Sequence, residues 1–360
     1  MTETHKRRIL PGKRLPNSVP GGGFMPNIVD VAFKANVSIA TVSRVVNKTS
    51  HKVKSSTREK VLQAILELDY RPNALAKGLL MKKTMTIGII IPDISNPYYA
   101  EIVRGIQDVA DRAGYAVMLY NTDRKPEGIV RDIYHLREKA ADGIIFSGGI
   151  INGYETLSIL GELKDRVVVI GRHAVDFPAV LVDNMGGVVQ AVQHLLGLGH
   201  GEIGFLGGPE GSTTAMDRLT GYRNALAQNR LIFDENRIKQ GDWTPQSGYL
   251  LGKELLGNGR RPTAIVSAND QMAFGAMNAA RELGLKIPGD LAVVGFDNIP
   301  LSSYFDPPLT TVEIPMYEAG AEAMRMLIHL ISGEEFDKLK LFQTKLLVRG
   351  STIKKDEKIY

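Results

Sequence analysis

Two groups of residues in this chain have the types and spacing to do chemistry, and both suit binding better than bond-making. The first lies in Ile39-Ala40-Thr41-Val42-Ser43-Arg44-Val45-Val46-Asn47. Val42, Val45 and Val46 recur at helical spacing and form an inward stripe. Ile39, Ala40, Thr41, Ser43 and Arg44 are left on or near the outer face. Arg44 can donate twice to a guanine edge, and Ile39 and Ala40 can touch thymine methyls. Thr41, Ser43, Asn47 and His51 are short polar groups suited to phosphate oxygens. The competing reading is a three-helix bundle with a basic face.

The second group is a set of polar residues at the C-terminal ends of strand candidates, where open α/β sheets bind ligands. Asp93 and Asn96 follow the first strand, and Arg172 follows the fourth. Arg218, Asn269, Asp270 and Asp297 continue the set, and Trp243, the single tryptophan, lies in a loop. Asp, Asn and Arg grip hydroxyls through paired hydrogen bonds, and an aromatic face stacks on a ring. A polyhydroxylated ligand such as a sugar fits that set. Helix capping fits Asp and Asn equally well, and spacing does not separate the two. Asp183-Asn184, just before Gly186, reads as a cap.

Enzyme motifs fail on context. Gly199-His200-Gly201-Glu202-Ile203-Gly204 matches a dinucleotide-binding string but precedes a strand instead of following one into a helix. Gly248 to Lys253 is too short for a phosphate-binding loop. The sequence holds no GxSxG and no HExxH. The seven histidines are scattered, with His194 and His200 read as surface or capping residues. There is no cysteine, which excludes disulfides, thiolate metal sites and a cysteine nucleophile, and suits a reducing cytoplasm. The expectation is a non-enzyme without metal or cofactor.

These groups must be positioned by two kinds of element. Residues 27–70 read as three short helices: about Ile28 to Ala35, Ile39 to about Val46 with Ser38 as its cap, and a third opened by a capping box at Ser56-Thr57-Arg58-Glu59. Ala32 is small where helices cross, and Val37 plugs the turn. Residues 73–84 have helical composition but are short and contain Gly78, so the segment reads as a hinge. It is either a plain linker or a helix ordered on DNA, with Leu79 wedged between base steps. From Thr86 onward, β-branched runs alternate with amphipathic stretches. Strands are expected at Thr86–Ile91, Ala116–Tyr120, Gly143–Phe146, Val167–Ile170, Val180–Val182, Ile203–Leu206, Ala264–Val266 and Leu291–Gly295. Helices are expected at Tyr99–Arg112, Val130–Lys139, Gly186–Leu196, Arg218–Asn229, Gly248–Leu256, Asp270–Glu282 and Tyr317–Leu330. Such alternation gives parallel sheets covered on both faces, here two of them.

Charge supports this division. Of 360 residues, the first 83 hold 16 Lys and Arg against 5 Asp and Glu, and the remainder holds 28 against 34. A basic head on a mildly acidic body suggests one module for a polyanion and another for something else. Residues 1–26, with Lys6-Arg7-Arg8 and Gly21-Gly22-Gly23, read as a flexible basic extension. With 44% hydrophobic residues the chain can build sizeable cores. It has no long apolar run of membrane-spanning length and no signal-peptide core, so a cytoplasmic, nucleoid-associated protein is expected.

The chain resembles the lactose-repressor (LacI/GalR) family of bacterial transcription regulators over about residues 27–353. The matching strings are Asp30-Val31-Ala32, Ala40 to Asn47, Thr57-Arg58-Glu59-Lys60-Val61, Tyr70-Arg71-Pro72-Asn73-Ala74, Ile91 to Pro97, Gly143-Ile144-Ile145, Ala268-Asn269-Asp270, Gly295-Phe296-Asp297 and Pro308 to Val312. The resemblance implies a helix–turn–helix domain at 27–71, a hinge at 72–84, and a periplasmic-binding-protein-like core at 85–353 followed by a tail at 354–360. Its core subdomains would span about 85–183 with 312–341, and about 184–311 with 342–353. The family implies a homodimer on palindromic double-stranded operator DNA, controlled by a small-molecule effector, either a sugar or a sugar phosphate. Ile39, Ala40 and Arg44 would read bases, with Asn73, Ala76 and Leu79 in the hinge. Arg218, Asn269 and Asp297 would hold the effector, with Trp243 as stacking face. Part of this set also looks like the catabolite-control regulators, which read a phosphocarrier protein. Asp306 stands where a basic residue is expected in that subgroup, which weighs against such a coregulator. Gly171 stands where the lactose repressor has an acid, so that sugar contact does not carry over. Beyond Arg349 there is no leucine heptad tail, which favours a dimer over a tetramer.

Overall fold

A computed structural model describes residues 26–46, 53–71, 83–148, 154–173, 176–257 and 259–352. Contacts divide the chain into two units, residues 1–82 and 83–360.

The first unit contains α1 (Ile28–Lys34), α2 (Ile39–Val46) and α3 (Ser55–Leu68). Val31, Ala32, Val42, Val45, Val61 and Ala64 form its small core. The turn between α1 and α2 uses Asn36 at φ 52°, a left-handed position that asparagine tolerates. Val37 N donates to Ala32 O at 3.0 Å. Ser38 caps α2 as expected, its hydroxyl accepting from Thr41 N at 3.1 Å. The capping box, however, is at α1: Asn27 Oδ1 accepts from Val29 N and Asp30 N, and Asp30 Oδ2 accepts from Asn27 N at 2.9 Å. The box expected at Ser56–Glu59 does not form. Helix α3 is capped two residues earlier, at Lys54 with no side-chain cap bond, so Ser56 falls inside the first turn.

The second unit is built on two six-stranded sheets. Strands β1 (Thr86–Ile91), β2 (Ala116–Asn121), β3 (Gly143–Ser147), β4 (Val167–Ile170), β5 (Ala179–Val182) and β11 (Leu339–Phe342) form the first. It is parallel throughout, in the order β11-β5-β4-β3-β1-β2. Strands β6 (Ile203–Gly207), β7 (Ile238–Gln240), β8 (Ala264–Ser267), β9 (Ala292–Asp297), β10 (Thr310–Glu313) and β12 (Lys345–Leu347) form the second, in the order β12-β10-β9-β8-β6-β7. Only the β10–β12 pair in it is antiparallel. Helices α4 (Pro97–Ala113), α5 (Pro126–Glu138), α6 (Tyr154–Glu162), α7 (Asn184–Gly197), α8 (Thr213–Gln228), α9 (Pro245–Leu256), α10 (Asp270–Glu282) and α11 (Met316–Ser332) complete the unit.

Strands β7, β10, β11 and β12 and helix α6 were not expected from sequence. The four strands have three or four residues each and every one carries a charged residue that breaks the apolar run, and three residues of edge strand β11 are exposed. The chain passes between the sheets three times: at Asp183, at Ile314-Pro315 and at Gln343-Thr344. Two of these crossings are tied together. Asp183 N donates to Phe342 O at 3.0 Å, and Thr344 Oγ1 donates to Asp183 O at 3.1 Å.

Helices α4 and α11 cross through glycines. A Cβ on Gly320 would lie 2.1 Å from Ile102 O, and one on Gly105 would lie 2.0 Å from Tyr317 O. This crossing fixes α4, whose first turn carries Tyr98 and Tyr99. Because backbone cannot retreat as a side chain can, Gly320→Val is expected to destabilise by about 1–3 kcal/mol or more. A urea midpoint equal to that of the wild type would show that the crossing is looser than this.

Candidate nucleic-acid interface and small-molecule cleft

In the first unit, burial of Val42 and Val45 fixes which side of α2 faces out. Ile39 is 47% exposed, Ala40 and Arg44 are exposed, and Thr41 and Ser43 are half-buried. The five residues expected to meet DNA therefore share the outer side of α2. Thr41 Oγ1 and Ser38 Oγ lie 2.9 Å apart, which ties Thr41 to the cap. Asn47, His51, Asn73, Ala76 and Leu79 lie outside the described residues.

In the second unit, a cavity of about 720 Å³, counting its open mouth, lies between the two sheets at the C-terminal ends of their strands. The first sheet contributes Asn96, Tyr98, Tyr99, Gly148, Arg172 and His173. The second contributes Asn184, Ser212, Thr213, Thr214, Arg218, Trp243, Asn269 and Asp297.

Arg218 is the centre of the site and is only 3% exposed. Its Nε donates to Asn184 Oδ1 at 2.9 Å, and its Nη1 donates to Asp297 Oδ1 at 3.2 Å and to the Ala268 carbonyl. The guanidinium lies 3.8 Å from the Phe296 ring centroid and 5.7 Å from that of Trp243. A buried arginine is tolerable only with such pairing. Trp243 sits at φ 73°, and its indole occupies the space of a Cβ on Gly208, 2.2 Å from its Cζ2. Asn269 caps α10 by accepting from Met272 N at 2.9 Å, and its Nδ2 donates to Trp243 O at 3.0 Å. One amide thus holds both a helix and the tryptophan loop.

Asp297 is held at φ 110°, a costly conformation for a residue with a Cβ. The next residue locks it there. Asn298 Nδ2 donates to Glu313 Oε1 at 3.0 Å, and Asn298 Oδ1 accepts from Arg349 Nη2 at 2.8 Å. Burial pushes the Asp297 carboxyl up to about 7; Arg218 opposes this and nearby Asp270 adds to it. In the unfolded chain an aspartate titrates near 4. Between about pH 4 and 7 the folded protein therefore holds a proton that the unfolded chain has lost, so this group's contribution to stability falls as pH rises. Wild type should accordingly lose stability relative to Asp297→Asn between pH 4.5 and 7.5, by roughly 1–4 kcal/mol. Urea unfolding at the two pH values checks this, and a constant gap would contradict it.

Two expected ligands are not in the cavity. Asp270 is fully buried beneath it, accepting from Ile299 N at 2.9 Å, Ser302 Oγ at 2.6 Å and Thr311 Oγ1 at 2.5 Å. Those bonds point its carboxylate into the protein, towards β10 and the Pro300–Ser303 turn, so it braces the site instead of lining it. Burial raises its carboxyl to about 6 against those hydrogen bonds. Asp93 does not line the cavity either. It accepts from Arg124 Nη2 at 2.8 Å, and Arg124 Nη1 also donates to the Asp242 carbonyl on the other sheet's side. Burial raises the Asp93 carboxyl, but hydrogen bonds from Ser95 and Arg124 hold it below the usual range. Arg172 does line the cavity, but it is clasped across it by Asp217 of α8, at 2.5 Å (Nη2–Oδ1) and 3.2 Å (Nε–Oδ2).

Sequence reasoning missed Asn184, Tyr98, Tyr99 and His173. Asp183 does cap α7, accepting from Gly186 N at 2.9 Å, yet its neighbour Asn184 turns into the cavity. Tyr98 and Tyr99 pack edge to face at 4.9 Å. Their only signal was position in the first turn of the helix that follows β1. His194 and His200, read as surface or capping residues, pair with the hydroxyls of Thr352 at 2.9 Å and Thr263 at 3.0 Å. Among the described residues no cluster of metal-ligating side chains occurs, and no helix is long and apolar enough to cross a membrane.

Two family models match parts of the chain. Residues 27–73 match the family of bacterial regulatory proteins called lacI, and residues 192–352 match a periplasmic binding protein-like domain. The chain is 42% identical to catabolite control protein A of Priestia megaterium, over 86% of this chain and 94% of that one. It is 38% identical to the ribose operon repressor of Halalkalibacterium halodurans, over 91% and 97% respectively. A crystal structure of the lac repressor dimer bound to operator and the anti-inducer ONPF superposes with a TM-score of 0.84 at 31% identity, covering 92% of this chain and all of that one. With three helices in one unit, a two-sheet cleft in the other and relatives aligned across nearly its whole length, the chain belongs to the lacI family of bacterial transcription regulators.

Proposed function

We propose that this chain represses carbohydrate-related genes as a dimer on a palindromic operator, its hold on DNA set by a sugar-like molecule in the cleft. One observation carries the reading. A helix presenting Ile39, Ala40 and Arg44 to solvent belongs to the same chain as a buried Arg218–Asp297 pair in a cleft between two sheets. In this reading Ile39, Ala40 and Arg44 meet base edges, and Thr41, Ser43, Asn47 and His51 meet phosphates. Asn73, Ala76 and Leu79 meet the minor groove. Arg218, Asn269, Asp297, Asn96 and Trp243 surround the effector, and Arg172 closes over it. The three inter-sheet crossings let the angle between the two sheets change. An effector that prefers one angle between the sheets shifts the DNA-binding equilibrium by its differential affinity. No catalytic step is assigned to the cleft, and the protein is expected to act in the cytoplasm.

Likeness to catabolite control protein A supports a second reading, in which a phosphocarrier protein is a coregulator; Asp306 stands against it. The deciding experiment selects duplexes from a pool with the purified protein, then titrates the preferred duplex with and without a sugar panel. One preferred palindrome whose affinity moves with one sugar is expected. Indifference to duplex sequence, or to every sugar, would sink the reading.

A further inference from the structure

Two arginines reach from the lobe built on the first sheet to the lobe built on the second. Arg172, two residues after β4, is bidentate with Asp217 of α8, at 2.5 Å from Nη2 to Oδ1 and 3.2 Å from Nε to Oδ2. Its carbonyl also accepts from Thr213 Oγ1 at 2.5 Å. Thr213 and Asp217 stand four residues apart on α8, so they share one helix face, and that face receives Arg172. Arg124, in the turn after β2, makes the other bridge. Its Nη1 donates to the carbonyl of Asp242, the residue before Trp243, while its Nη2 donates to Asp93 Oδ2 at 2.8 Å on its own side.

Topology gives these bridges leverage. The three chain crossings leave from β5, β10 and β11, which lie towards one end of the two sheets, whereas β2 and β7 are the edge strands at the other end. A rotation about the crossings therefore separates the β2 and β7 edges furthest, and Arg124 joins those edges. The backbone is also bent to present both side chains. Asp123 and Arg124 sit at φ 51° and 61°, and Arg172 follows Gly171 at φ 104°. Such conformations are costly and persist where surrounding contacts fix them. The contacts themselves are breakable: the Arg172 side chain is 52% exposed and that of Asp217 18%, and an ion pair so open to water contributes little net stability.

We propose that Arg172 with Asp217, and Arg124 with the Asp242 carbonyl, form a two-point latch that holds the lobes closed over the cleft and must part before a molecule can pass its mouth. Entry as a step towards DNA control rests on the effector reading above; closure stands without it.

The test uses the full chain at pH 7 without added sugar. The chain has no cysteine, so two can be introduced as label sites. Glu127→Cys in α5 and Gln246→Cys in α9 are exposed, lie on different lobes and make none of the latch bonds. Spin labels there report lobe separation. Arg172→Glu should raise the ratio of long to short distances about fivefold, the upper end for an exposed ion pair. Adding Asp217→Arg, which reverses the pair, should bring the ratio back to within about twofold of wild type. Arg124→Gln should open the lobes as well, and its effect should multiply with that of Arg172→Glu, because the two share no partner. Urea midpoints should stay close to wild type throughout, which separates a latch from a general loss of structure. Acrylamide serves as a small neutral probe of entry, and should quench Trp243, the single tryptophan, more strongly in Arg172→Glu than in wild type.

Distance distributions that coincide in wild type and in Arg172→Glu with Arg124→Gln overturn the latch, and so does an opening that Asp217→Arg fails to reverse. Unchanged quenching overturns its role at the mouth. The same variants are titrated with the preferred duplex. If distances change and duplex affinity does not, the latch stands and the reading that lobe angle governs DNA binding falls.

Discussion

Replacing Arg218 with alanine is expected to abolish the effector response and to lower folding stability by about 3–5 kcal/mol. The size follows from what is left behind. Asp297 would remain 4% exposed without its cation, and Asn184 Oδ1 and the Ala268 carbonyl would lose their donor. An unpaired buried carboxylate takes up a proton instead of staying charged. The deficit should therefore shrink as pH falls and Asp297 is protonated. The double change Arg218→Met with Asp297→Leu separates the two roles. Replacing a whole buried pair by apolar groups is often nearly neutral for stability, so this variant should recover much of the lost stability and none of the effector response. Urea unfolding reads the first quantity, and duplex titration with and without effector reads the second. Retention of the effector response in Arg218→Ala would remove Arg218 from the cleft's binding set.

The second large effect is on DNA. Affinity for the preferred duplex should fall by about 10³–10⁵ between 50 and 200 mM salt if the dimer neutralises about 6–10 phosphates. The first 83 residues supply the cations, with 16 Lys and Arg against 5 Asp and Glu. Arg44→Ala should behave differently from a lost phosphate contact. It should relax preference at one base position per half-site by about 1–3 kcal/mol and change the salt slope by no more than about one. Gel shifts at several salt concentrations on the preferred duplex and on single-base variants distinguish the cases. Unchanged base preference in Arg44→Ala would move base reading away from that residue.

Much of this protein was legible without coordinates, because the relevant signals are local. The spacing of Val42, Val45 and Val46 fixed the outer face of α2, since a helix repeats every 3.6 residues whatever it packs against. Ser38 was legible as a cap because capping depends on a residue's own neighbours. Eight strands of the two sheets were visible as apolar runs between helical stretches. The same locality explains the failures. The expected box at Ser56 lost to a helix capped two residues earlier, a difference no pattern of types encodes. Strands β7, β10, β11 and β12 each contain a Lys or Glu that breaks the apolar run, and are defined by the partner strand beside them.

The cleft divides along the same line. Residue types at strand ends marked Asn96, Arg172, Arg218, Asn269, Trp243 and Asp297, all of which line one cavity. They could not show which polar groups are already taken. Asp270 looked like its neighbour Asn269, but three bonds from β10 and the adjoining turn turn it inward. Asp93 and Arg172 are claimed by Arg124 and Asp217, the latter 45 residues away in sequence. Asn184 and His173 became visible only when the chain crossed between sheets and brought them to the same space. Sequence by itself determined which elements form and which side chains sit at their ends, because these depend on neighbours a few residues away. Which of those groups still has a hydrogen-bonding site to offer a ligand was decided by tertiary structure alone, because a donor or acceptor is satisfied by whatever the fold places about 3 Å from it.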